Sequence, residues 1–118
     1  MTLVDTSIWV NHLRQGSPSL KLLLKENWVL THPWVIGELA CGMLKNRAEI
    51  LALLQALPTA LVAEYEETLV FLDSQKLFGL GLGWVDVNLL ASAQLTGCEL
   101  WTADIPLQKA AIKLHIKK

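Results

Sequence analysis

No charge of one sign is in excess in this sequence: ten Lys and Arg stand against 11 Asp and Glu, a formal net charge of −1. Long-range attraction of the whole molecule to a polyanion is thereby excluded, and any nucleic acid must be met by a local patch. Cysteine is scarce, with Cys41 and Cys98 far apart and neither in a CxxC pair, so a zinc knuckle and a disulfide framework are both excluded. Two buried thiols are expected. Long apolar runs are missing too. The longest stretch without a charged side chain, Ile50 to Ala63, is 14 residues with Pro58 inside it, short of the roughly 20 a spanning helix needs. No membrane partner is expected, and because Asp5 follows the first apolar residues at once, no secretory signal is read. The expected location is cytoplasmic.

What is present is apolar residues, 53% of a 118-residue chain, enough to bury a substantial core. That length suits one domain, expected to span 1–118. Leu3-Val4 is a short apolar run followed by Thr6 or Ser7 as a helix cap. Ser17-Pro18 opens a second helix, and His32-Pro33 a third through Met43. Ala48 to Leu57, Thr68 to Leu77 and Trp84 to Leu95 read as further helices, the last ended by Gly97, and Pro106 opens a final one. Trp28 to Thr31 and Glu99 to Thr102 read as strands, while Ala60 to Val62 fits a strand or a connection. Short strands alternating with helices predict an α/β fold with a mainly parallel sheet, whose sites lie beyond the carboxyl ends of the strands.

Aspartate occurs four times, at 5, 73, 86 and 104, and three of these abut apolar segments. Asp5 closes the first strand and Asp104 follows the last, so a parallel sheet projects both at one edge. Glu38 lies one turn into the third helix and Asp86 in the first turn of its own. An acid at a helix start gains about 0.3–1 kcal/mol from the dipole, so each could be merely structural taken alone. Together, four acids from distant segments would share one cleft and be driven to protonate unless a cation held them. A hard divalent ion with oxygen ligands is the economical remedy, and it suggests phosphodiester chemistry.

Leu3-Val4-Asp5-Thr6-Ser7, Glu38-Leu39, Asp86-Val87-Asn88-Leu89-Leu90-Ala91-Ser92-Ala93 and Leu100-Trp101-Thr102-Ala103-Asp104 together resemble the PIN-domain ribonucleases of the VapC toxin type, from residue 3 to about 110. The resemblance implies a three-layer α/β/α sandwich. It also implies four catalytic acids at Asp5, Glu38, Asp86 and Asp104, supporting hydroxyls at Thr6, Ser7 and Thr102, and Mg²⁺ or Mn²⁺ as cofactor. Hydrolysis of RNA, a homodimer, and a cognate antitoxin that inhibits the enzyme follow from it as well. In the favoured mechanism Asp5, Asp86 and Asp104 are the metal ligands and Glu38 orients or deprotonates the attacking water. Ile105-Pro106-Leu107 departs from the commoner pattern, which carries a further acid there.

Lys45 and Arg47 follow the Glu38 helix and are candidate phosphate contacts, as are Lys109, Lys113, Lys117 and Lys118. Trp34 and Trp84, beside the expected cleft, could stack on unpaired bases. Asn88 reads as structural, His12, His32 and His115 as surface or cap residues, and the Gly79, Gly81 and Gly83 segment as a connection. The phosphoaspartate hydrolases need DxD, and Ser7 stands in its third position. Receiver domains need a mid-chain Asp, and none lies between Asp5 and Asp73. The competing reading is a catalytically silent module of the same fold that binds RNA or protein, with another metal-dependent phosphohydrolase behind it.

Overall fold

Three short strands, β1 (Thr2–Val4), β2 (Val29–Leu30) and β3 (Glu99–Trp101), form a wholly parallel sheet in the order β2-β1-β3 in the computed structural model, which describes residues 1–118. Thr2 pairs with both Val29 and Glu99, and Leu3 with both Leu30 and Leu100. Single parallel bridges prolong the sheet at each side, Thr31 to Thr59 and Leu100 to Lys117. Ala60-Leu61-Val62 therefore resolves as a connection leaving one bridge, not a strand.

Helices α1 (Thr6–Gln15) and α2 (Pro18–Lys25) carry the chain from β1 to β2. Helices α3 (Pro33–Ala40), α4 (Arg47–Gln55), α5 (Tyr65–Ser74) and α6 (Trp84–Thr96) carry it back past β1 to β3, and α7 (Ile105–Lys113) follows. The two crossovers run in opposite directions across the sheet, so right-handed connections put helices on both faces. The result is an α/β/α sandwich. Leu3, Val4, Leu100 and the α6 residues Leu89, Leu90 and Ala93 are buried at its centre with Leu20, Val35 and Leu107. No helix is long and apolar enough to cross a membrane.

Local signals set most boundaries. Ser17 accepts the Leu20 N–H at 3.3 Å with Pro18 at the first helical position, and Gly97 ends α6 at φ 74, where a side chain would be strained. The expected cap at Thr6 or Ser7 is corrected: Asp5 is the α1 cap, through its carbonyl, which accepts from Ile8 and Trp9. The third helix stops at Ala40, short of Met43, as Cys41 and Gly42 turn the chain. Helix α5 starts ahead of Thr68, because the Glu67 side chain accepts the Glu64 N–H at 3.0 Å and caps it there. Cys98 is buried as expected and burial pushes its thiol pKa up, but Cys41 is exposed.

Candidate active site

The chain leaves β1 toward β2 and leaves β3 toward the opposite side, which opens a crevice beyond the carboxyl ends of these two neighbours. Asp5 follows β1 directly and Asp104 lies three residues past β3. Three hydroxyls tie this edge together. Thr102 Oγ1 donates to Asp5 Oδ2 at 2.7 Å, and Ser7 Oγ donates to the same oxygen at 2.9 Å. The Asp104 and Ala103 N–H groups donate to Thr102 Oγ1 and Ser7 Oγ, each at 3.0 Å. Thr6 Oγ1 donates to Glu38 Oε1 at 2.6 Å, drawing α3 to the first turn of α1. The hydroxyls read as caps are thus engaged with acids.

Each acid is held by one oxygen. Asp104 Oδ2 accepts the Leu107 N–H at 3.1 Å and Asp86 Oδ2 the Gly83 N–H at 2.9 Å, both as helix caps. In all four carboxylates the protein's donors converge on a single oxygen and the second receives none. Asp5 is 7% exposed, yet its second oxygen is not among the orphaned buried atoms, which are Trp9 Nε1 and Thr31 Oγ1. That oxygen therefore reaches solvent at the cleft.

Asp86 feels the other three acids. Burial raises the Asp86 carboxyl above the ordinary range, the Gly83 N–H opposes this, and the charges of Asp5, Asp104 and Glu38 raise it further. No positive group is among these influences. Such a site, anionic with spare hard oxygens, fits a divalent cation. The acids do not close into a tight cluster of three or more protein ligands. A hard cation here would keep several waters and take only one or two carboxylates directly.

The remaining candidates divide. Trp34 stands one turn before Glu38 on α3 and is 38% exposed. Trp84 is half-buried and lies against Tyr65, ring centroids 5.4 Å apart, at the start of the Asp86 helix. Lys45 is exposed. Arg47 is engaged elsewhere: its Nε and Nη2 donate to the Ala40 carbonyl at 3.2 and 2.8 Å, closing the C-terminus of α3. In the tail, Lys113 donates to the Gln75 carbonyl at 3.0 Å and Lys118 lies over the Trp101 ring at 5.5 Å.

Sequence reasoning passed over Gln108, whose Nε2 donates to the Thr102 carbonyl at 2.8 Å and braces the loop holding Asp104. A Gln one turn into a helix carries no signal of that role. Asn88 is buried and structural in its contacts, accepting from Thr68 Oγ1 at 3.1 Å and donating to the Trp84 carbonyl at 2.9 Å.

The family model described as PIN domain matches residues 2–113. Ribonuclease VapC32 of Mycobacterium tuberculosis is 44% identical over 111 residues, covering 93% of this chain and 90% of that protein, in strain CDC 1551 / Oshkosh. The same protein of strain ATCC 25618 / H37Rv matches with the same identity and coverage.

Proposed function

This chain belongs to the PIN-domain family, and from that premise we propose that it is a divalent-metal-dependent endoribonuclease of the VapC toxin type. The observation that carries the reading is the set of four carboxylates, each fastened by one oxygen with the other left unbonded, three of them raising the pKa of Asp86 with no positive group to oppose them. A structural cap such as Glu67 can also use a single oxygen, so what distinguishes these four is that the charges of Asp5, Asp104 and Glu38 all bear on Asp86.

Asp5, Asp86 and Asp104 would hold Mg²⁺, or Mn²⁺ in its place, one or two of them directly through a free oxygen and the rest through water. The bound ion supplies Lewis acidity toward phosphate oxygens and lowers the pKa of a water it coordinates. Glu38, fixed at Oε1 by Thr6, orients the attacking water with Oε2 and takes its proton. Ser7 and Thr102 hold Asp5 in one orientation, and the Thr102 hydroxyl fixes the Asp104 backbone relative to it. A carboxylate whose rotamer is set beforehand need not reorganise when the substrate binds.

The substrate is RNA, the chain acts as one domain over 1–118, and it works in the cytoplasm as a homodimer restrained by a cognate antitoxin. Trp34, Trp84 and Lys45 border the route of the RNA. Incubating the purified chain, free of antitoxin, with total RNA plus Mg²⁺ or plus EDTA tests the reading. Fragments are expected only with the metal. Binding of RNA without cleavage in either condition would instead identify a catalytically silent module.

A further inference from the structure

The face of α1 that carries Thr6 continues through Val10 to Arg14, residues spaced i, i+4 and i+8 and so on one side of the helix. At its near end the Thr6 hydroxyl holds Glu38 of the candidate active site. At its far end, about 12 Å along the axis at the usual helical rise, a depression of about 300 Å³ opens between α1 and the loop after α3. Val10, Leu13, Leu44 and Met43 give it an apolar lining, and Arg14 and Lys45 stand beside them. Both cations are exposed, and neither has the kind of backbone tether that occupies Arg47. Met43 is fully exposed.

We propose that this groove is a nucleotide subsite for the strand flanking the cleaved bond, with a base on the apolar floor and neighbouring phosphates held by Arg14 and Lys45. The inference rests on the ribonuclease reading and extends it. Two features select this occupant. Paired cations beside an apolar floor match the alternation of phosphate and base in single-stranded RNA. The depression also lies on the same face of α1 as Thr6, whose hydroxyl holds Glu38 of the candidate active site. The negative cleft repels phosphate on its own, so a positive foothold a few nucleotides away is what a near-neutral protein needs to retain its substrate.

The test is binding of a short, single-stranded RNA of mixed sequence to the cleavage-deficient Asp5→Asn protein, followed by fluorescence anisotropy over a range of salt. Adding Arg14→Ala and Lys45→Ala should weaken binding about 25-fold near 0.1 M salt, and reduce the logarithmic salt slope by about 1.4, as expected for two single-strand phosphates. The pair Lys21→Ala and Lys25→Ala on α2 should leave both unchanged. In the otherwise unaltered enzyme, the Arg14 and Lys45 changes should raise KM with kcat kept. An unchanged affinity and slope would overturn the subsite even where Mg²⁺-dependent cleavage persists. If the unaltered chain neither binds nor cleaves RNA, it is the ribonuclease reading itself that fails.

Discussion

Two polar constellations interrupt the apolar interior, and they treat their hydrogen-bonding capacity in opposite ways. Past the carboxyl end of β2, His32 is fully buried. Its Nδ1 accepts the Trp34 N–H at 3.1 Å and its Nε2 meets Ser92 Oγ at 3.0 Å, while Asn88 is similarly engaged with Thr68 and Trp84. Those groups have little left to offer a ligand. At the carboxyl edge, Asp5, Glu38, Asp86 and Asp104 are each held by one oxygen and present the other unbonded. Polar groups that are saturated hold the fold, and polar groups that are half-saturated in a shared crevice are available for chemistry.

The largest effect that would break this contrast is expected at Asp5. Asp5→Asn keeps the shape and the acceptor for Ser7 and Thr102 but removes the charge. It should abolish Mg²⁺-dependent RNA cleavage with little change in melting temperature. Cleavage near the original rate would place the chemistry elsewhere.

Thr102→Val sharpens the contrast by removing one hydroxyl at nearly constant volume. Asp5 loses a donor and the Asp104 N–H loses its acceptor. Activity should fall about 10- to 100-fold, the usual effect of losing an outer-shell partner of a metal ligand. Metal titration followed by calorimetry should show weakened Mg²⁺ binding in step. A variant that loses stability alone would make Thr102 a structural residue.

The reverse outcome is expected in the saturated constellation. Asn88→Ala deletes the bonds to Thr68 and to the Trp84 carbonyl and should cost about 1–3 kcal/mol of stability in urea unfolding. Cleavage per folded molecule should stay within about twofold at a temperature where the fold is intact. A selective loss of activity would move Asn88 into the site.

The same distinction explains what was legible beforehand. Capping and breaking act within a few residues, so Ser17-Pro18, Pro106 and Gly97 marked helix ends directly. The acids were legible as charges in apolar surroundings at strand and helix ends. Partner choice over long separations was not. Thr6 and Ser7 look like caps by local rule; Ser7 meets Asp5 two residues away, but only tertiary packing brings Thr6 to Glu38 and Ser7 to Thr102. Arg47 and Arg14 are alike as sequence. The carbonyl end of α3 captures one, and the groove keeps the other.

The smallest effect concerns pH and belongs to His32, the buried cap of α3. Burial lowers its pKa below 6.5 in the fold. The bonds act in the same direction, since a protonated Nδ1 could no longer accept from Trp34. Above pH 6.5 the ring is neutral whether the chain is folded or not, so its contribution to stability is constant. As pH falls through 6.5 the unfolded chain takes up a proton that the folded chain refuses, and stability declines until the lowered folded pKa is reached. Unfolding free energy measured between pH 7.5 and 5 should therefore fall toward acid. His32→Asn can still cap α3 but cannot titrate, so it should be less stable at pH 7.5 and show a shallower decline. An equal slope in both proteins would deny His32 that role, and the carboxylate crevice could not supply it, because the raised Asp86 pKa makes the fold gain stability as that acid takes up its proton.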